Sequence, residues 1–128
     1  EVFKKSQIMT EFFLISGIVL IVAIIFISVS INQIKILYQT KEFFLVKDIA
    51  LKIQDEISIA SYIEDGYSRQ FELPEKVDSG DYNISIVNNT LIVYTNTTNY
   101  FIRILNVTGY LNKGQNTIKK TNSVIYLN

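Results

Sequence analysis

Twenty consecutive residues without a charge, Phe12 to Ile31 (FFLISGIVLIVAIIFISVSI), constrain this chain more than any other feature. Only Ser16, Gly17, Ser28 and Ser30 dilute the run, and no proline interrupts it. As a helix it rises about 30 Å, the hydrocarbon thickness of a bilayer. A cylinder apolar on every side needs apolar surroundings on every side, and the rest of the chain is too small to supply them. A membrane span is therefore expected, not a core helix. A cleavable secretory signal has a shorter apolar region and a small-residue cleavage site. Here Asn32-Gln33-Ile34-Lys35 follows, so the segment is expected to remain in the mature protein. Lys4 and Lys5 before the run, and Lys35, Lys41 and Lys47 after it, leave orientation undecided by charge.

The helical pattern continues beyond the run. From Asn32 to Ile63 there is no Gly or Pro, and apolar residues recur at Ile34, Leu37 and Tyr38, then at Leu45, Ile49, Ile53, Ile57 and Ala60. That spacing marks one face of a helix, with Asp48, Lys52, Asp55 and Glu56 off it. Glu64-Asp65-Gly66 ends the pattern, Gly66 being suited to a left-handed cap. One continuous helix from Ile8 to Ile63 is expected, apolar all round in its first half and amphipathic in its second.

After Gly66 the period changes to two. Gln70–Leu73, closed by Pro74, reads as an edge strand. Tyr82–Val87 and Leu91–Thr95 flank Asn88-Asn89-Thr90, a tight hairpin because Asn tolerates positive φ. Tyr100–Leu105 follows the Asn96-Thr97-Thr98 turn, and Thr117–Lys119 and Val124–Leu127 flank a turn at Thr121-Asn122. Short strands joined by short turns predict an antiparallel meander, one face of which covers Leu45, Ile49, Ile53 and Ile57. The class is α+β: a long N-terminal helix packed on a small antiparallel sheet, lollipop-like.

Several functions are disfavoured by composition. The formal net charge is zero with no basic block, so nucleic acid has no electrostatic footing. There is no Cys, His or Trp, which removes the commonest bases, nucleophiles and soft metal ligands. Asp55/Glu56 and Glu64/Asp65 are adjacent in sequence and do not converge as catalytic pairs. Asp78-Ser79-Gly80-Asp81 with Asn83 has oxygen ligands at close spacing but lacks a full calcium-loop pattern, and reads as a polar turn. No catalytic residue, metal or cofactor is assigned. Tyr38, Phe43 and Phe44 read as packing or subunit-contact residues at the membrane exit.

Immediately before the apolar run stands Lys4-Lys5-Ser6-Gln7-Ile8-Met9-Thr10-Glu11-Phe12-Phe13. A charge flush against a membrane span costs at least about 2.5 kcal/mol to bury, so Glu11 needs a reason. Basic residues, then Gln7, then Glu11, then an unbroken apolar helix resembles the class III signal of archaeal type IV pilins. Phe71-Glu72-Leu73-Pro74, Tyr82-Asn83-Ile84 and Gly114-Gln115-Asn116 are similar to the small β domain of such proteins. Met9 stands where the family usually has Ser, and Ser6 where Gly or a basic residue is common. These departures bear on the position of the cut. The resemblance implies that a prepilin peptidase cuts between Ser6 and Gln7 on the cytoplasmic side. It also implies that Glu11 pairs with the freed amine of Gln7 on a neighbouring subunit during assembly.

Four N-glycosylation sequons, at Asn83, Asn88, Asn96 and Asn106, all follow the helix. The abundance of Asn, Ser and Thr would yield about two in this stretch by chance, so the excess is mild. Their places on turns and outward strand positions imply a glycosylated, extracytoplasmic domain.

The resulting organisation is a leader at 1–6, a transmembrane and filament-core helix at 7–31, its amphipathic continuation at 32–65, and a β domain at 66–128. The function this implies is a non-enzymatic pilin: a membrane-inserted precursor that polymerises with itself into a cell-surface filament through the pilus assembly machinery. Two alternatives stand beside it, a singly anchored surface binding protein that never polymerises and a minor or accessory pilin.

Overall fold

With neither glycine nor proline between Asn32 and Ile63, nothing in that stretch interrupts the i to i−4 hydrogen-bond ladder. A computed structural model of the chain describes the backbone of residues 2–78 and 80–128, and side chains from residue 7 onward. Its helix α1 runs from Val2 to Tyr62. The expected leader, with Ser6 at its cut, falls outside the described side chains, and Ser79 outside the described residues. The chain divides into two units, Glu1–Tyr38 and Gln39–Asn128, and the helical assignment is continuous across the boundary.

In the second unit α1 buries Val46, Ile49, Ala50, Ile53, Ile57 and Ala60. Spacings of three and four keep these on one stripe. Val46 and Ala50 join the expected stripe, and Leu45 is only partly buried at its margin. Glu56, expected on the solvated face, is buried at 7% exposure. It lies between Ile53 and Ala60 in the helical repeat, and its carboxylate reaches Arg69 at 3.5 Å. Its Oε2 finds no hydrogen-bond partner among the described residues.

Seven strands follow: β1 (Ser68–Leu73), β2 (Asn83–Val87), β3 (Thr90–Tyr94), β4 (Asn99–Arg103), β5 (Val107–Gly109), β6 (Gly114–Thr121) and β7 (Val124–Leu127). They form two sheets instead of the single meander expected. One has the order β1-β6-β7-β5, the other β2-β3-β4. The β5–β7 pair is parallel, and β5 has no counterpart in the strands read from sequence. Only the second sheet is a meander.

The end of the helix explains the long-range β1–β6 pairing. Lys120 Nζ, from β6, donates to the carbonyls of Ser61 and Ile63 at 2.7 and 2.8 Å. A cation thus satisfies two of the carbonyls that a helix C-terminus leaves open. Gly66 N donates to Lys120 O, and Lys120 N to Tyr67 O. Asp65 Oδ1 accepts from Ser123 N in the β6–β7 turn at 2.9 Å. Gly66 has φ +95 but stands four residues past Tyr62, so it turns the chain into β1 and does not cap the helix as expected.

The two-residue hairpins follow local chemistry. Asn88 and Asn89 have φ 48 and 62, the type I′ pattern that matches strand twist. Asn122 and Ser123 do the same at φ 51 and 63, one residue later than expected. Inward residues from both sheets, among them Phe71, Leu73, Leu91, Val93, Ile118, Ile125 and Leu127, join the helix stripe in one core. Burying each such aliphatic side chain stabilises by about 1.5–3 kcal/mol. One inward position of β6 is polar: Asn116 is 1% exposed. Its amide is satisfied by Asn112 N and O, Gly114 O and Asn128 Nδ2.

Candidate functional surfaces

The first unit presents a problem of solvation. From Ile8 to Tyr38 every large apolar side chain is between 51% and 73% exposed. Leaving such side chains in water forfeits about 1.5–3 kcal/mol apiece, so this helix requires lipid or other apolar helices around it. By length and composition it suffices to cross a membrane. Two of its hydroxyls return to the helix itself. Ser28 Oγ donates to Ile24 O and Ser30 Oγ to Phe26 O, each at 2.9 Å. A hydroxyl bonded to the helix's own carbonyl needs no partner from outside.

At the start of this segment Gln7 and Glu11 are exposed and stand four residues apart. One helical turn separates them, so they share a face. Toward the other end Tyr38 is exposed within the first unit. In the second unit Phe43 meets Tyr100 edge to face at 5.9 Å, while Phe44 is 53% exposed.

The second unit carries the sequons. Asn83, Asn88, Asn96 and Asn106 are all exposed. Asn83 opens β2, Asn88 is the first residue of the β2–β3 turn, Asn96 lies in the β3–β4 loop, and Asn106 precedes β5. The β3–β4 loop is pinned: Thr95 N donates to Thr98 O, and Thr95 Oγ1 accepts from Thr97 N and Thr98 N. Thr97 Oγ1 donates to Glu42 on the helix.

The start of β2 is held by a small electrostatic cluster. Lys113 pairs with Asp81 and lies 5.4 Å from the centroid of the Tyr82 ring. The hydrogen bond from Lys113 holds the Asp81 carboxyl below its usual 3.8, against a smaller opposing effect of burial. Burial pushes the Tyr82 phenol from 10.0 up to about 12, with Glu75 and Asp81 adding to it. Its hydroxyl donates to Pro74 O. Asp78, in the stretch weighed as a calcium loop, is paired with Lys41 at 2.7 Å. Both carboxylates therefore face lysines on separate elements. Near the helix end Glu56 faces Arg69, and Asp65 accepts from the β6–β7 turn.

One surface was missed from sequence. In β2, β3 and β4 the residues Ile84, Ile86, Leu91, Val93, Tyr100 and Ile102 face the core. The alternate positions therefore face outward, and register places them in rows: Asn83–Tyr94–Asn99, Ser85–Ile92–Phe101 and Val87–Thr90–Arg103. Val87, Ile92, Tyr94 and Phe101 form an apolar cluster on that outward face, among Asn83, Ser85, Thr90, Asn99 and Arg103. The signal was the unbroken apolar run Leu91–Tyr94, which supplies both faces of a strand at once. A separate cleft of about 370 Å³ lies among Gln54, Ser58, Ser61 and Tyr62 near the end of α1 and Arg103, Ile104 and Leu105 at and just after the end of β4.

The chain matches no protein-family model, no curated protein and no solved structure.

Proposed function

We propose that this chain is a structural subunit of an archaeal type IV pilus-like filament, inserted in the membrane before assembly and displaying its β domain outside the cell. The observation that carries the reading is the contrast along α1. Residues 12–31 expose apolar side chains in every direction, whereas residues 46–60 bury one stripe within their own domain. A segment of the first kind can exchange lipid for the helices of neighbouring subunits with little change in apolar burial. That exchange lets one helix serve as both membrane span and filament core.

Gln7 and Glu11 support the same reading. In this proposal prepilin peptidase cuts after Ser6, and the freed amine of Gln7 meets Glu11 of a neighbour. A buried charge is costly alone and tolerable when paired, so the pair fixes register. The partners are other copies of the chain and the assembly machinery. The exposed sequons fit a glycosylated, extracytoplasmic domain. Electron microscopy of sheared cell-surface material, with N-terminal sequencing of its main protein, tests the proposal. Filaments composed of this chain beginning at Gln7 are expected. Filaments lacking it overturn the proposal for the main shaft.

A second reading, an anchored surface binding protein that never polymerises, is favoured by the cleft near Tyr62 and Arg103. An uncut N-terminus in membrane-bound protein, with no filaments, selects it.

A further inference from the structure

We infer that oligosaccharides on Asn83, Asn88 and Asn96 cover the apolar cluster on the outward face of the β2-β3-β4 sheet, packing on Tyr94 and Phe101. The inference rests on the extracytoplasmic placement proposed above, but not on polymerisation.

Val87 and Phe101 are 52% and 59% exposed on this face, and Tyr94 is 40% exposed. Contiguous apolar surface of this kind marks a place that something covers. What surrounds it is specific. Asn83 shares the face and stands in register beside Tyr94. Asn88 directly follows Val87 in the hairpin turn, and Asn96 lies two residues beyond Tyr94. The face itself is about 10 Å across three strands and about 14 Å along five residues. Sequons therefore stand at both ends of the face and along one edge, within reach of the first sugars of a chain.

The chemistry of the occupant fits. A pyranose ring turns hydroxyls to water and presents a patch of C–H groups on its other side. Such a patch packs on the face of Tyr94 or Phe101, whose π-systems carry negative charge above the ring. A glycan thus replaces an apolar surface with a hydrated one without needing a protein partner. It also blocks the open backbone edge of β2, which Asn83 begins and which could otherwise pair with another strand. Asn106 lies off this face, before β5 in the other sheet, and serves as a comparison.

Hydroxyl-radical footprinting of the full chain in host membranes, combined with glycopeptide mapping, tests the inference. Three chains are compared: wild type, the triple variant Asn83→Gln/Asn88→Gln/Asn96→Gln, and Asn106→Gln. Tyr82, 0% exposed, reports whether the domain is still folded. Oxidation of Tyr94 and Phe101 is expected to rise severalfold in the triple variant, with Tyr82 still protected. Asn106→Gln is expected to leave both rates as in wild type. If the triple variant loses protection at Tyr82, the single variants Asn83→Gln and Asn96→Gln are read at Tyr94 instead, where each is expected to raise the rate. Tyr94 and Phe101 staying protected after loss of the three glycans overturns the inference, because a second copy or another protein then covers the face. Glycan at Asn106 alone also overturns it while leaving the extracytoplasmic placement intact. No glycan at any of the four sites removes the glycosylated placement as well. Absence of filaments affects neither readout.

Discussion

The two halves of α1 share a backbone and differ in how their apolar residues are distributed. Residues 12–31 are apolar around the whole cylinder, and their large apolar side chains stay exposed. Residues 46–60 carry a single stripe, and that stripe reaches 0–5% exposure against two sheets. Helix formation is thus common to both, while the angular width of the apolar surface decides the environment each requires. A stripe can be satisfied within one chain. A full cylinder needs lipid or other chains.

That contrast is most directly broken by matched alanine substitutions. Ile53, 0% exposed, packs in the core beneath the sheets. Ile53→Ala is expected to destabilise the β domain by about 2–5 kcal/mol, from lost transfer energy and the cavity left behind. Ile24→Ala, at an exposed position, is expected to move the same transition by less than about 0.5 kcal/mol. Thermal melts of detergent-solubilised full chain, followed by near-ultraviolet tyrosine circular dichroism, compare the two. Equal shifts would mean that the halves are not energetically distinct.

A smaller effect should come from the strand that sequence did not reveal. Gly109 ends β5 at φ +116, and a Cβ there would stand 2.1 Å from the backbone oxygen of Leu127. Gly109→Ala must therefore separate β5 from β7, adding strain of about 1–3 kcal/mol. Hydrogen exchange should quicken at the β5 amides while those of β3 are unchanged. Unchanged protection at β5 would contradict the parallel pairing.

The helix, the α+β class and most strands were legible because they follow from local periodicity. The type I′ turn at Asn88-Asn89 was legible for the same reason, since asparagine reaches positive φ at modest cost. Partner choice was not. Nothing near Gln70 indicates that it pairs with Thr117, and the bonds from Lys120 to the helix end act across more than fifty residues. β5 escaped notice because Val107-Thr108-Gly109 is too short to show a period. Glu56 looked solvated by residue type, yet Arg69 on β1 lets its stem lie in the core. The sequons needed only the sequence, whereas their grouping around one apolar face needed strand register.

Tyr82 offers a pH-dependent comparison within the second unit. Its phenol has a raised pKa when folded, so the neutral form is favoured by folding. The resulting stability is complete below about pH 10 and is lost as pH rises through about 12. Tyr82→Phe is expected to cost about 1 kcal/mol at neutral pH through the lost bond to Pro74 O. Between pH 10 and 12 the gap between wild type and variant should narrow, because only wild type loses this contribution. Urea titrations across that range measure it. A gap that stays constant would place the phenol in water.

The smallest expected effect on domain stability belongs to Glu11, and it separates the halves most sharply in function. Glu11 is exposed at the start of the first unit and makes no contribution to the core of the second. Glu11→Gln should leave the domain's melting transition within about 0.5 kcal/mol of wild type. In the membrane the change removes a charge next to Phe12 and should if anything ease insertion. In the proposed filament it removes one member of a buried pair and leaves the amine of a neighbour's Gln7 without its counter-charge. Losing one partner in this way costs about 3–5 kcal/mol, and each incoming subunit would bear that cost. The expected outcome in native cells is a normal membrane level by immunoblot and few or no surface filaments by electron microscopy. Wild-type filament numbers would eliminate the pairing role and favour the anchored binding protein. A lowered melting transition would instead tie Glu11 to the fold, and erase the division of labour between the two halves of the helix.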